Sequence, residues 1–242
     1  MGLIRFQNVS KTFARTARRQ VLGSHLRNIV SRTKSAEEPF FAVRDMTFSV
    51  EPGRSLGLVG SNGAGKSTTL ALAAGICQPS AGTIEVTGRA VGLLELGSGF
   101  HPELTGVENL YLNAALLGMT EKEAKAAEPR IAEFADIGDY IYEPLRTYSS
   151  GMMLRLAFAV AVHSHPDVLI VDEVIGVGDS AFQQKCNERL RQLRQNRVTI
   201  LCTSHSGDVL RDMCDELLWI DHGQVKRRGT PDEVLAAYLH QH

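Results

Sequence analysis

Apolar and polar positions change their rhythm several times along this chain, and each change marks an element. Leu3, Phe6 and Val9 are spaced loosely, which predicts an edge strand running into Ser10-Lys11-Thr12-Phe13. Val43, Met46, Phe48 and Val50 predict a strand over 42–50, ended by the turn Glu51-Pro52-Gly53-Arg54. The unbroken apolar run Leu56 to Val59 reads as a buried strand, and Thr69 to Ala74 as the helix after it. A turn at Gln78 to Gly82 precedes a strand over 83–88, and Ala90 to Leu94 is a further short one. From Thr105 to Gly151 the period is helical, with Thr120 and Glu123 spaced as a capping box. Strands return only after Pro166: Val168 to Val171, Val198 to Thr203, and a hairpin over 217–225 turning at Gly223. Helices are expected at 183–195 and 233–239. Strands alternating with helices predict an α/β protein with a three-layer core, and residues 95–165 a helical insert within it.

One segment breaks the alternation. Residues 14–39 carry Arg15, Arg18, Arg19, Arg27, Arg32 and Lys34 against only Glu37 and Glu38, while Leu22, Leu26, Ile29 and Val30 fit one face of a short helix. It reads as an insertion between two strands, either a solvated loop or a basic amphipathic piece lying near lipid head groups or a membrane partner.

Composition narrows the class. The chain has 242 residues, 43% hydrophobic and 22% charged, which suits an ordinary globule and sets aside large-scale disorder. A formal net charge of -1 gives no global pull toward nucleic acid, so an electrostatic partner has to be met by a local patch. There is no apolar run of about 18 residues and no signal-peptide pattern at Met1-Gly2-Leu3-Ile4-Arg5, which predicts a cytosolic chain that does not cross a membrane. Gly2 is not followed by the Ser or Thr that myristoylation requires, since Gln7 follows Phe6. Cys77, Cys186, Cys202 and Cys214 lack CxxC spacing and are expected as reduced thiols.

The chemistry is concentrated at Gly60-Ser61-Asn62-Gly63-Ala64-Gly65-Lys66-Ser67-Thr68. This fills the phosphate-loop template between a predicted strand and a predicted helix. Its glycines let backbone N–H groups converge on an anion at the positive end of that helix. Lys66 is expected against the β- and γ-phosphates of a nucleoside triphosphate, and Ser67 on Mg²⁺. Downstream, Asp172 ends an apolar strand, where it is placed to hold Mg²⁺ through water, and Glu173 beside it is placed to polarise an attacking water. Ser149-Ser150-Gly151-Met152 feeds a helix rich in Ala and Leu, with Arg155 on its first turn, and so forms a second anion-facing helix end.

With these residues in order, the chain resembles the ATP-binding subunit of an ABC transporter over essentially its whole length. The resemblance rests on a Walker A motif at Gly60 to Ser67, a Walker B strand at Val168 to Asp172 followed by Glu173, a D-loop ending in Asp179 and a switch histidine at His205. Tyr148-Ser149-Ser150-Gly151-Met152 stands where that family has Leu-Ser-Gly-Gly-Gln. The resemblance implies a P-loop NTPase core with an antiparallel β subdomain. It also implies ATP and Mg²⁺ as cofactors, and a homodimer in which Ser149, Ser150 and Gly151 of one copy close on the nucleotide of the other. Lys66, Glu173 and His205 are then the catalytic residues, and Ser67 and Asp172 the metal-facing ones. Ser61 to Thr68 hold the phosphates, and Phe13 stacks on the adenine.

Finer variants resemble the subfamily that exports polysaccharides: O-antigen, capsule and teichoic acid. They are the run Leu93 to Gly106, the Tyr-Ser-Ser-Gly-Met form, Val174 to Asp179 and the basic insertion after Phe13. That resemblance implies a separate multi-spanning permease subunit and a peripheral place on the cytoplasmic face of the bacterial inner membrane. Most ABC proteins have a glutamine that contacts Mg²⁺ where this chain has Glu95 or, by a one-residue shift, Leu96; the resemblance places Glu95 with Ser67 and Asp172 as a metal-facing residue, acting through water. Importers are the close alternative. A soluble ABC-type switch would bring a long coiled coil or a second ATPase unit, and a GTPase an Asn-Lys-x-Asp motif; the sequence has none of these.

Overall fold

Two strands near the N-terminus, β1 (Leu3–Phe13) and β2 (Phe40–Val50), pair antiparallel with Phe6 opposite Phe48 and Ile4 opposite Val50. The structure is a computed structural model and describes residues 2–13, 39–94, 96–173 and 179–241. The basic insertion of 14–39, apart from Pro39, therefore lies outside the described residues, as do Glu95 and Val174 to Gly178.

The chain continues through β3 (Ser55–Val59), α1 (Lys66–Ala73), β4 (Ala81–Thr87) and β5 (Ala90–Gly92). Helices α2 (Gly106–Leu116) and α3 (Glu121–Ala135), two short 3-10 turns and α4 (Ser150–His163) follow. The remaining elements are β6 (Val168–Val171), α5 (Ser180–Gln195), β7 (Thr199–Thr203), α6 (Gly207–Met213), β8 (Glu216–Asp221), β9 (Gln224–Gly229) and α7 (Pro231–Leu239). Capping boxes open α2 at Thr105/Glu108, α3 at Thr120/Glu123 and α7 at Thr230/Glu233, fixing where these helices start.

Strands β2, β1 and β4 form a small antiparallel sheet in that order, and β5-β6-β7-β3-β8-β9 a larger one, parallel except for β9. Strand alternation sorts the large sheet's side chains into two cores. Leu169, Val171, Ile200, Cys202, Leu217 and Trp219 face the helices α2 to α7. Val168, Ile170, Leu201, Leu218 and Ile220 face α1 and the small sheet, where Phe6 stacks on Phe48 with ring centroids 4.5 Å apart. Burial on both faces is why these strands read as continuous apolar runs in the sequence. The result is the expected three-layer α/β arrangement with an antiparallel sheet attached.

Two expectations are corrected and one helix is added. The first strand is not an edge: β1 pairs with β2 on one side and β4 on the other, so Ile4 and Phe6 are fully buried. Its loose spacing comes from register shifts around Asn8, whose φ is 49°. Helix α6 was not foreseen, because seven residues carry too little periodicity to be read. Arg155 falls on the second turn of α4, not the first, because the helix starts at Ser150. The four cysteines are free; Cys186, Cys202 and Cys214 are buried and Cys77 half-buried.

Candidate functional site

The loop between β3 and α1 takes its shape from two glycines whose conformation no side chain tolerates. Gly60 has φ 154°, and a Cβ there would lie 2.3 Å from the Ile220 carbonyl oxygen; Gly65 has φ 108°, and its Cβ would lie 2.4 Å from that of Ala42. The Ala64 N–H donates to the Ser61 carbonyl at 3.1 Å, and the Gly223 N–H to the Ala64 carbonyl at 2.9 Å, tying the loop to the β8–β9 turn. No side chain caps α1, so the N–H groups of its first turn are left to other acceptors at the end of the helix that adjoins the loop. Lys66 Nζ donates to the carbonyls of Gly60 and Ser61 at 2.7 and 3.0 Å. Burial holds its pKa below the ordinary lysine value, opposed by the carboxylates of Asp172 and Glu173.

A cleft of about 260 Å³ opens over this loop. Its floor is Asn62, Gly63, Gly65, Lys66, Ser67 and Thr68, one wall is Asp172 and Glu173 beyond the end of β6, and the other is Phe13, Phe40 and Ala42 of the small sheet. Ser61 and Ala64 belong to the loop without lining the cleft. Phe13 and Phe40 are opposite each other in the β1–β2 ladder and are about half exposed, at 46% and 47%. Exposed aromatic faces at the mouth of a polar cleft suit the stacking of a flat ring. Phe40 escaped the sequence reading because only the antiparallel pairing brings it beside Phe13.

The carboxylate wall is organised from the neighbouring strand. Thr203, at the end of β7 and 1% exposed, donates its hydroxyl to Asp172 Oδ1 at 2.6 Å and accepts the Glu173 N–H at 2.8 Å. Glu173 sits in the left-handed region with φ 45°, and its Oε1 is 2.8 Å from His205 Nε2. Glu173 and His205, predicted from separate stretches, are therefore brought together. Thr203 was missed, and its one sequence signal is a hydroxyl closing an apolar strand two residues before His205.

The donors also suit a small divalent cation. Mg²⁺ takes oxygen ligands, usually one or two carboxylates with substrate phosphates and water, and Ser67 and Asp172 offer a hydroxyl and a carboxylate in one cleft. Among the described residues no group of three or more His, Cys, Asp or Glu is placed to hold a metal ion, so Ser67 and Asp172 would supply only part of a cation's ligands. Glu95 lies outside the described residues.

The stretch Tyr148 to Met152, which stands where the ABC family has Leu-Ser-Gly-Gly-Gln and is its signature position, is elsewhere. Ser149 caps α4, its hydroxyl accepting the Met152 N–H at 3.2 Å; Ser149 and Ser150 are exposed, and neither they nor Gly151 line the cleft. Arg155 roots this helix end, with Nη2 2.5 Å from Asp179 Oδ2 and the guanidinium 4.9 Å from the Phe182 ring. Hydrogen bonding by the Phe182 N–H holds the Asp179 carboxyl below its ordinary pKa, and the charge of Arg155 adds to this.

The sequence pattern that defines ABC transporters matches residues 43–176, more than half of the chain. The chain belongs to the ABC transporter family. This cassette is 50% identical over 205 residues to the ABC transporter protein AbcA of Aeromonas salmonicida, covering 85% of this chain and 67% of that one. It is 43% identical over 222 residues to the O-antigen export system ATP-binding protein RfbB of Klebsiella pneumoniae, covering 90% of each. In fold it is similar to the dimeric post-hydrolysis structure of the ATP-binding cassette MJ0796 bound to ADP and Pi. The TM-score is 0.73 at 19% identity, over 94% of this chain and 98% of that one. The matched residues include the loop between β3 and α1, and no helix among the described residues is long and apolar enough to cross a membrane.

Proposed function

We propose that this cassette hydrolyses Mg·ATP as a homodimer to drive export of a lipid-linked polysaccharide through a separate membrane-spanning permease, from the cytoplasmic face of the bacterial inner membrane. The observation that carries the hydrolytic reading is that Lys66, Ser67, Asp172 and Glu173 share one cleft, with His205 hydrogen-bonded to Glu173. The substrate class is supported by the 43% identity to RfbB, whose name specifies O-antigen export.

In this reading the loop N–H groups and Lys66 clamp the β- and γ-phosphates, and Phe13 with Phe40 takes the adenine ring. Ser67 and Asp172 hold the cation, which when bound would neutralise charge on the phosphates. Glu173 accepts the proton of the attacking water, and His205 fixes the direction of its carboxylate. The end of α4, set apart from its own cleft, meets the triphosphate of a second copy; the dimeric MJ0796 cassette has the same fold. Positioning and electrostatic clamping supply most of the rate enhancement.

The test has two parts. Purified Glu173→Gln protein loaded with ATP is expected to elute as a dimer; a lone subunit under those conditions rejects the shared site. Expressed with its own permease in a Klebsiella strain lacking RfbB, the wild-type chain is expected to restore surface polysaccharide and Lys66→Ala is not. Transport of another substrate class by the purified pair rejects the polysaccharide reading.

A further inference from the structure

The hydroxyl of Thr203 is a polar group buried at the end of a strand that is buried throughout. Such a group is costly unless its hydrogen bonds are made, and both of those described run to the catalytic wall: the donated one to Asp172 Oδ1 at 2.6 Å, the accepted one from the Glu173 N–H at 2.8 Å. We propose that Thr203 is a positioning residue for hydrolysis, locking the metal-facing carboxylate and the backbone of the base into one rigid unit.

The geometry gives the lock two consequences. A carboxylate with one oxygen held by Thr203 loses rotation about its last torsion, so the other oxygen keeps a fixed direction toward the cleft that Asp172 lines. Glu173 occupies a left-handed conformation with φ 45°, which a non-glycine residue keeps only where its surroundings over-determine it, and the bond to Thr203 holds its N–H there. From that backbone the Glu173 side chain reaches His205, two residues beyond Thr203 on the same strand exit. Thr203, Glu173 and His205 thus close a small ring in which a shift of any member moves the others. Thr203 is on neither the floor nor the walls of the cleft, so it acts only through its neighbours.

This inference rests on reading Asp172 as the metal-facing carboxylate and Glu173 as the base. The test uses the full chain with Thr203→Val, which keeps the branched shape suited to a strand, and Thr203→Ser, which keeps the hydroxyl. Losing a hydrogen bond to a charged group is expected to lower kcat about 30-fold in the valine variant. Mn²⁺ affinity with a non-hydrolysable ATP analogue, read by electron paramagnetic resonance, is expected to fall about tenfold on the same basis. ATP binding in EDTA is expected to stay within about twofold of wild type, because the phosphate loop is untouched, and the serine variant is expected to recover both losses. Wild-type turnover and Mn²⁺ affinity in the valine variant, or equal losses in the serine variant, overturn the proposal. Should the valine protein not fold, Thr203→Ala carries the same comparison. A wild-type chain that does not hydrolyse ATP would instead reject the function proposed above.

Discussion

Glu173 and His163 show how differently two titratable side chains are used in this molecule. Glu173 is exposed to the cleft, held in a conformation most residues avoid, and paired to His205. Glu173→Gln is expected to lower steady-state ATP turnover by on the order of a hundredfold, a general-base-sized loss, while ATP still binds; unchanged turnover would reject the role. His163 is buried at the end of α4 with its Nδ1 2.8 Å from the Ala159 carbonyl and its ring edge-on to Phe134 at 5.2 Å. Desolvation is the main cause that lowers its pKa from 6.5 to about 4, against the Ala159 hydrogen bond and with Arg189, Arg130 and His165 adding to the lowering. With the folded value depressed, the unfolded chain binds the proton first as pH falls below 6.5. The stability His163 confers is therefore present above that pH and lost on the way down to about 4. Between pH 7 and 5 urea unfolding should show wild type losing about 2 kcal/mol more than His163→Leu; equal losses would remove His163 as the cause. Lys66, Ser67 and Asp172 were legible in the sequence because a contiguous motif or a strand end carries them. Phe40 and Thr203 were not, because only the pairing of strands places Phe40 opposite Phe13 and the Thr203 hydroxyl against Asp172.

At the scale of elements, α4 is the most heavily committed. Leu156 to His163 are all buried, while Ser149 and Ser150 stay exposed at the other end. The chain reaches that exposed end over Gly106, the first residue of α2, where a Cβ would lie 2.2 Å from the Tyr148 hydroxyl and 2.8 Å from the Ile141 carbonyl oxygen. The Tyr148 hydroxyl also donates to the Tyr140 carbonyl at 2.6 Å, so the tyrosine has little room to yield. Gly106→Ala is expected to cost about 2 kcal/mol by overpacking, measured by thermal or urea unfolding, and a variant as stable as wild type would show that the turn relaxes freely. Most elements could be read because both faces of the large sheet are covered and its strands are uniformly apolar. Position within a sheet could not. β1 looks like an edge strand from its own residues, and only the return of β4 makes it central.

Across the whole molecule, the phosphate loop lines the cleft while the turn at Ser149 to Gly151, in the same chain, does not. On the proposed reading, a Lys66→Ala copy mixed with a Ser149→Arg copy puts both defects in one composite site and leaves the other intact. The mixture is expected to regain ATPase activity that neither variant has alone. If each copy held a self-sufficient site, mixing would recover nothing. Sequence could name both parts of this arrangement but not their separation, which depends on the path taken by α2 and α3 between them. The separation also sets a rule for handling the protein. On the proposed reading, a preparation thinned far enough should grow idle per milligram while every subunit keeps its native spectrum, and should wake again when concentrated, because half of each reaction centre would then travel on a different molecule.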